Sequence, residues 1–124
     1  MINWFEKNKA ASVIMIILIS IEIFYISSLP GSVEVGGNEW IAITYHFTIF
    51  FLLTFFIFTS IMKNEKIKLR KVLFVVLISL IYALLDEIHQ IFVPLRDASI
   101  RDILIDSIGI FFATAIYIYT KRNN

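Results

Sequence analysis

The stretch VLFVVLISLIYALLDEIHQIFV, residues 72–93, joins a long apolar run to a short cluster of polar and ionisable side chains. A helix over these residues would be about 33 Å long, which is enough to cross a hydrocarbon layer of about 30 Å. A helix is also the structure expected there, because the membrane interior offers the backbone no hydrogen-bond partners. The stretch therefore predicts a transmembrane helix whose polar groups lie near its C-terminal end.

Three other apolar runs of similar length occupy residues 11–29, 41–62 and about 100–119. The chain is 59% hydrophobic and only 17% charged. We therefore predict an all-α fold, a polytopic membrane bundle of four transmembrane helices at about 11–29, 41–62, 72–93 and 100–119. Lysines precede the first run as in a secretory signal, but the run is too long for a signal core and lacks a clear cleavage site, so we expect it to be retained.

These four helices leave little chain for anything else, so we expect a single membrane domain over residues 1–124 and no nucleic-acid partner. Lysine and arginine are distributed very unevenly between the connections. Nine lie before the first run, between the second and third, or after the fourth, and only Arg96 and Arg101 lie elsewhere. By the positive-inside rule this pattern predicts a multi-pass protein of the cell membrane with both termini in the cytoplasm. Cysteine is absent, which excludes disulfide and thiolate chemistry.

Each predicted helix carries ionisable groups in its outer third, namely Glu22, His46, Asp86 with Glu87, and Asp106. A charged side chain at depth costs roughly 2.5–3.5 kcal/mol on insertion scales, so such groups usually face one another or water rather than lipid. We therefore expect these side chains to converge in a polar cup that opens outward above an apolar base. The inner parts of the helices, such as residues 50–58 and 73–78, contain almost no ionisable groups.

Helical spacing divides the polar residues of the third run between two faces. Asp86, His89 and Gln90 follow three- and four-residue steps and share one face, whereas Glu87 points about 100° away, towards another neighbour or the headgroups. Asp102 fits a capping box with Ser99, which is its simpler interpretation. The spacing Gly109-x-x-x-Ala113 predicts a close approach of a neighbouring helix.

These residues have both functional and structural interpretations. Carboxylates and an imidazole in an apolar wall suit general acid–base chemistry, and Arg96 suits phosphate or carboxylate; a hydrogen-bonded network that locks the helices together is the alternative. We predict two sets of site residues. The catalytic candidates are Asp86, Glu87, His89 and Asp106, and the binding candidates are Gln90, Arg96, His46, Glu22 and Asp102.

A metal site receives only weak support from the sequence. Asp86-x-x-His89 has usable ligand spacing and His46 is a second imidazole, but there is no His-Glu-x-x-His motif and no cysteine. Polar groups of this kind also pair readily among themselves. We therefore predict neither a metal ligand set nor a cofactor.

The segments YALLDEIHQIFVPLR (residues 82–96) and DILIDSIG (residues 102–109) resemble the signature of the VanZ-like family of small membrane proteins. That signature runs D-E-x-H-Q-x-F-x-P-G-R and then D-x-x-x-[D/N]-x-x-G. A weaker match is Ser-Ser-x-Pro at residues 27–30, together with His46, where the family often has K-x-x-H-x-x-x-Y. The chain departs from the pattern with Leu95 for glycine, Ile43 for lysine and Phe50 for tyrosine. The resemblance implies a cell-envelope protein of the type named for glycopeptide, especially teicoplanin, resistance.

Three functional hypotheses follow. The first is an outward-facing site that binds, and in one version modifies, a membrane lipid or lipid-linked envelope precursor, by hydrolysis or group transfer at a phosphate or glycosidic linkage. The second is a noncatalytic binding or accessory protein with an envelope enzyme or a second copy of itself as partner. The third, a small proton-coupled carrier, has against it the lack of a polar path through the inner half of the helices.

Overall fold

The computed structural model describes residues 2–31, 39–62, 65–96 and 98–123. In these ranges the chain forms five α-helices and no strand: α1 (Ile2–Lys7), α2 (Lys9–Ser27), α3 (Glu39–Met62), α4 (Leu69–Gln90) and α5 (Ile100–Asn123). The last four are 19–24 residues long, with mean hydropathies between 1.7 and 2.3, and are therefore able to span a membrane. The predicted all-α bundle of four membrane-spanning helices is confirmed.

The helices begin and end a few residues away from the predicted spans. The largest differences are at α4, which covers Leu69–Gln90 rather than 72–93, and at α5, which continues to Asn123. Helix α4 ends early because the chain turns at once: the Phe92 and Val93 amides donate to the carbonyls of His89 and Gln90. The short helix α1 was not predicted, because its six residues are too few to show a periodicity.

Helix α3 lies at the centre of the bundle and packs against each of the other four helices. Its buried side chains form the middle of the hydrophobic core, with Phe50, Leu53, Phe58 and Met62 almost inaccessible. The outward faces of the helices are apolar as well; on α4, for example, Leu73, Leu77, Ile81 and Leu84 are exposed. In water an apolar surface of this extent would aggregate, but in a membrane lipid chains cover it.

Helices α3 and α5 approach each other most closely at Gly109. A Cβ atom added to this glycine would lie 2.5 Å from the carbonyl oxygen of Phe47 on α3. No side chain fits in that space, and Ala113, one turn further along α5, is also fully buried. The close approach predicted from the Gly109-x-x-x-Ala113 spacing is confirmed, and it holds together the two helices that carry His46 and Asp106.

A polar network closes the bundle at the end where α1 packs against the last turns of α5. Glu6 of α1 is 3% exposed and accepts hydrogen bonds from the Tyr117 hydroxyl and the Lys121 ammonium of α5. Nearby, the Ser12 hydroxyl donates to the Phe5 carbonyl oxygen at 2.9 Å. The sequence did not indicate this network, because Glu6 lies outside every predicted span. A hydrogen-bonded polar network therefore lies beneath the apolar base of the predicted cup.

At the other end, a tight turn after α4 carries Arg96. Leu95 adopts a positive φ of 60°, and the Arg96 amide donates to the Val93 carbonyl oxygen at 3.2 Å. Gly31, just after α2, packs against this turn so closely that an added Cβ would lie 1.7 Å from the Leu95 carbonyl oxygen. The turn is thus fixed against the end of α2, which determines where Arg96 lies.

We expect Leu95→Gly to stabilise the protein. A left-handed backbone costs a residue with a side chain about 1–2 kcal/mol, and glycine avoids that cost although it is more flexible when unfolded. Leu95 is 80% exposed, so little packing is lost with its side chain. The midpoint of thermal unfolding in detergent should rise by a few degrees, corresponding to about 1 kcal/mol. Ile91→Gly, at an exposed position of the same segment with ordinary φ, should lower it.

Candidate functional site

The candidate site lies where α2 and α4 end and α3 and α5 begin, which we call the site end. A set of buried or half-buried polar side chains meets there, and we refer to it as the polar cluster. Each of the four membrane-spanning helices contributes at least one side chain to the polar cluster. The members of the polar cluster are Ser27, His46, Asp86, Glu87, Gln90 and Asp106.

Asp86 joins the ends of α2 and α4. It is 7% exposed; its Oδ1 accepts a 2.5 Å hydrogen bond from the Ser27 hydroxyl, and its Oδ2 accepts one from Gln90 Nε2 at 3.2 Å. The Arg96 guanidinium donates to the Ser27 carbonyl oxygen at 3.4 Å. The serine and the arginine therefore bring a donor and a positive charge to the same edge of the cluster as the carboxylate.

Glu87 turns towards the start of α5. Its side chain is 2% exposed, so the alternative that it reaches the headgroups is wrong. Glu87 Oε1 accepts from Gln90 Nε2 at 3.4 Å, and Oε2 accepts from the Ser99 amide at 2.8 Å. Ser99 precedes α5, as predicted for the N-cap, but its amide is bonded by Glu87 rather than by Asp102. A carboxylate from α4 thus replaces half of the expected capping box.

His46 and Asp106 form the third part of the cluster. The His46 Nδ1 and the Asp106 Oδ1 are 3.0 Å apart, with side-chain exposures of 12% and 0%. Among the described residues, Asp106 Oδ2 has no hydrogen-bond partner. One potential ligand atom from each of His46, Glu87 and Asp106 lies within 4.8 Å of the other two. Glu87, which helix geometry alone put on a separate face from Asp86, is therefore grouped with residues of α3 and α5.

His89 lies apart from this group, on the side of α4 that faces α2. Its Nε2 is 3.0 Å from the Ser28 hydroxyl, and its ring stacks on Phe24 with centroids 4.7 Å apart. A cavity of about 230 Å³ opens here, lined by Phe24, Tyr82, Leu85, Asp86 and His89. Most of its wall is apolar, and one carboxylate and one imidazole face into it.

The remaining binding candidates lie at the edge or outside the cluster. Asp102 and Arg96 are partly buried, near the first turn of α5 and in the turn after α4. Glu22 is exposed on α2 rather than buried among the other polar groups. The convergence expected from the sequence thus includes Asp86, Glu87, Gln90, His46 and Asp106 but not the side chain of Glu22.

Two contributors were not among the predicted site residues. Ser27 is the last residue of α2, and its hydroxyl is the 2.5 Å donor to Asp86. Tyr45 precedes His46, and its buried hydroxyl has no hydrogen-bond partner among the described residues. Tyr45 also lines an apolar groove of about 470 Å³ with Trp40, Ile41, Thr44 and Thr48. The only sequence signal for Ser27 was the Ser-Ser-x-Pro match at residues 27–30, and that match does not include Tyr45.

The balance of formal charge within the polar cluster is negative. Asp86, Glu87 and Asp106 bring three buried carboxyl groups together, whereas the nearby basic groups are His46 and Arg96. Uncompensated carboxylates in a dry environment cost several kcal/mol each, so such groups need protons, donors or a cation. The arrangement can bind a cationic species, accept a proton, or hold a ligand through hydrogen bonds.

Comparison with known proteins identifies the family of the chain. No curated protein sequence and no solved structure matches it. The family model described as VanZ/LLP1, in contrast, matches residues 3–121, which is nearly the whole chain. The match covers α2, α3 and α4, α5 as far as Lys121, and every residue of the polar cluster. The resemblance noted in the sequence is confirmed, and the chain, a membrane protein, belongs to the VanZ/LLP1 family.

Proposed function

We propose that the protein binds the polar headgroup of a lipid-linked or other amphiphilic component of the cell envelope at the site end. The observation that carries this proposal is the cavity between α2 and α4, in which Asp86 and His89 face a space otherwise walled by Phe24, Tyr82 and Leu85. Such a mixture suits a molecule with a polar head and an apolar tail. The exposed apolar faces beside the cavity offer the tail a continuous surface.

Arg96 is the group that orients the headgroup in this proposal. Its guanidinium lies beside the end of α2 and donates to the Ser27 carbonyl oxygen at 3.4 Å. An arginine has five N–H donors in all, which is more than this one bond uses. Arginine binds phosphate and carboxylate through paired donors, which gives both affinity and orientation.

The site end faces outward in this proposal, and the protein resides in the cell membrane. Basic residues support that orientation, because Lys7, Lys66, Lys121 and Arg122 lie together at the opposite end, around a cavity of about 590 Å³. The positive-inside rule assigns that end to the cytoplasm. A headgroup at the site end would then belong to the outer leaflet, where envelope precursors are used.

Chemical modification of the bound component is a second candidate function. The observation that favours it is the pairing of His46 with Asp106 at 3.0 Å, since an imidazole oriented by a carboxylate can accept and return a proton. With Asp86 in the cavity wall, the groups suit hydrolysis or transfer at a phosphate or glycosidic linkage. A noncatalytic binder would show the same ligand and no product.

Altered sensitivity to glycopeptides is the physiological consequence that we propose. A protein that sequesters or alters an envelope precursor changes the amount or the form of that precursor that is available to teicoplanin at the cell surface. The inhibitory concentration of teicoplanin for cells that express the chain, compared with cells that express Asp86→Asn, measures this consequence. Equal inhibitory concentrations for the two strains would show that the proposed binding at Asp86 does not confer resistance to teicoplanin.

The lipid retained by the purified protein tests the binding proposal directly. We expect native mass spectrometry in a mild detergent to find an anionic envelope lipid on the wild-type chain. Arg96→Ala should reduce its occupancy on the order of tenfold or more, because a charge-assisted pair contributes about 1.5–3 kcal/mol.

Arg101→Ala is the matched control for that experiment. Arg101 is the neighbouring arginine at the same end, but it is exposed and paired with Glu39. Its replacement should leave the lipid in place. No retained lipid, or equal loss from both variants, would contradict a headgroup site at Arg96.

A further inference from the structure

The imidazole and carboxylates at the centre of the polar cluster have the composition of a metal site. His46 comes from α3, Glu87 from α4 and Asp106 from α5, and one ligand atom of each lies within 4.8 Å of the others. One nitrogen and two carboxylate oxygens form a donor set suited to Zn²⁺ or Mn²⁺. Three helices therefore offer three protein ligands at one point, as in metal sites that keep further positions open.

The distances fit an ion after a small movement. His46 Nδ1 and Asp106 Oδ1 are 3.0 Å apart, which is close to the separation of neighbouring ligands when the metal bonds are about 2.0–2.2 Å long. The separations within the group are at most 4.8 Å, so the ligand atoms would have to approach one another by on the order of 1 Å, which small adjustments of the side-chain torsions cover. The backbone of the three helices need not move.

A second observation points to a ligand at the same place. Asp106 is completely buried, and its Oδ2 has no hydrogen-bond partner among the described residues. A carboxylate oxygen in this condition carries an unfavourable desolvation energy, because it has lost water and gained nothing. A bound cation would satisfy this oxygen and would also offset the excess of negative charge among Asp86, Glu87 and Asp106.

The surroundings of the group hold its carboxylates in place. Gln90 Nε2 donates to Glu87 Oε1 at 3.4 Å and to Asp86 Oδ2 at 3.2 Å, so one amide orients two carboxylates. The Ser99 amide holds the second oxygen of Glu87 at 2.8 Å. Partners of this kind fix the orientation of metal-binding side chains and are a usual part of such sites.

We propose that His46, Glu87 and Asp106 bind one divalent transition-metal ion of the Zn²⁺ or Mn²⁺ class between α3, α4 and α5. The ion links the three helices at the site end and leaves coordination positions for water or a ligand. This site goes beyond the proposed headgroup binding, because it needs neither Arg96 nor a lipid.

Metal titration of the full-length chain tests the proposal. The protein in detergent is stripped with a chelator and titrated with Zn²⁺ alone and, separately, with Mn²⁺ alone. We expect one ion per chain, with an affinity that falls on the order of 100-fold or more in Asp106→Asn and in Glu87→Gln, since even loss of an outer-shell partner usually costs 10–100-fold. Glu39→Gln, which removes an exposed carboxylate at the same end, should bind as the wild type does.

X-ray absorption of the metal-loaded wild-type chain keeps the test decisive if a variant fails to fold. One imidazole nitrogen and carboxylate oxygens at about 2.0–2.2 Å would support the site. The proposal is overturned if neither Zn²⁺ nor Mn²⁺ binds at one ion per chain. It is also overturned if Asp106→Asn binds as well as Glu39→Gln does, or if the coordination shell contains no nitrogen. No lipid takes part, so this result is independent of whether Arg96→Ala loses an envelope lipid.

Discussion

Replacing Gly109 by valine is expected to push α5 away from α3 and to disrupt the site end. Even the first atom of a new side chain would lie 2.5 Å from the Phe47 carbonyl oxygen and 3.3 Å from the Phe51 amide nitrogen, and backbone atoms cannot rotate away. Overpacking of a dense interior costs about 1–3 kcal/mol, and a clash with backbone belongs at the upper end of that range. Because His46 adjoins Phe47 and Asp106 lies one turn from Gly109, their 3.0 Å contact should lengthen.

Thermal unfolding in detergent and Zn²⁺ titration measure the two consequences of Gly109→Val. We expect a midpoint lower by roughly 5–15 °C and weaker metal binding. Gly109→Ala should lie between valine and the wild type. Ala115→Val is the matched control, because Ala115 is on the same helix but exposed on the lipid-facing side. A Gly109→Val protein as stable as Ala115→Val would contradict the close approach of the two helices.

The sequence was sufficient to predict the architecture because each membrane-spanning helix corresponds to its own long run of apolar residues. A run of about 20 apolar residues has essentially one stable conformation in a membrane, so the number and type of the helices do not depend on their partners. The ends of the helices do depend on partners. Helix α4 ends at Gln90 because the following amides turn back onto it, and α5 reaches Asn123 while Lys121 bonds to Glu6.

The candidate site could be predicted only as a region. Depth along a helix follows from residue number, which is why His46, Asp86 and Asp106 were expected at one level. Rotation of one helix against another is set by packing that the sequence does not state. Helical spacing therefore put Glu87 on a different face from Asp86, whereas in the structure Glu87 accepts a hydrogen bond from the Ser99 amide at the start of α5. The same spacing put His89 on the face of Asp86, whereas its partners are Phe24 and Ser28. Glu22 was expected to converge and is exposed.

The positive φ of Leu95 connects a departure from the family signature to the structure. The VanZ-like signature has glycine at this position, and the backbone there adopts the left-handed conformation that glycine favours. This chain keeps the conformation with leucine, so the geometry of the turn is maintained by its contacts with Gly31 and the end of α2. The position of Arg96 therefore depends on packing between two connections that are far apart in sequence.

Removal of the Glu6 carboxylate is expected to be the most destabilising change at the opposite end of the bundle. Glu6→Ala leaves the Lys121 ammonium, which is 13% exposed, without its anion, and it deprives the Tyr117 hydroxyl of its acceptor. Breaking a buried ion pair in this way costs about 3–5 kcal/mol, although a lysine near a helix end recovers part of that by extending to water. The midpoint of thermal unfolding should fall by about 10 °C or more.

Two comparisons identify burial as the cause of the Glu6→Ala effect. Glu65→Ala removes a carboxylate at the same end that also binds a lysine, Lys71 at 2.7 Å, but Glu65 is 45% exposed, so its loss should cost no more than about 1 kcal/mol. In Glu6→Leu combined with Lys121→Met, apolar side chains replace both charges, and the double variant should recover most of the lost stability. If Glu6→Ala is no more harmful than Glu65→Ala, α1 does not seal the bundle through this network. If the double variant is as unstable as Glu6→Ala, the loss comes from the packing of Glu6 rather than from its charge.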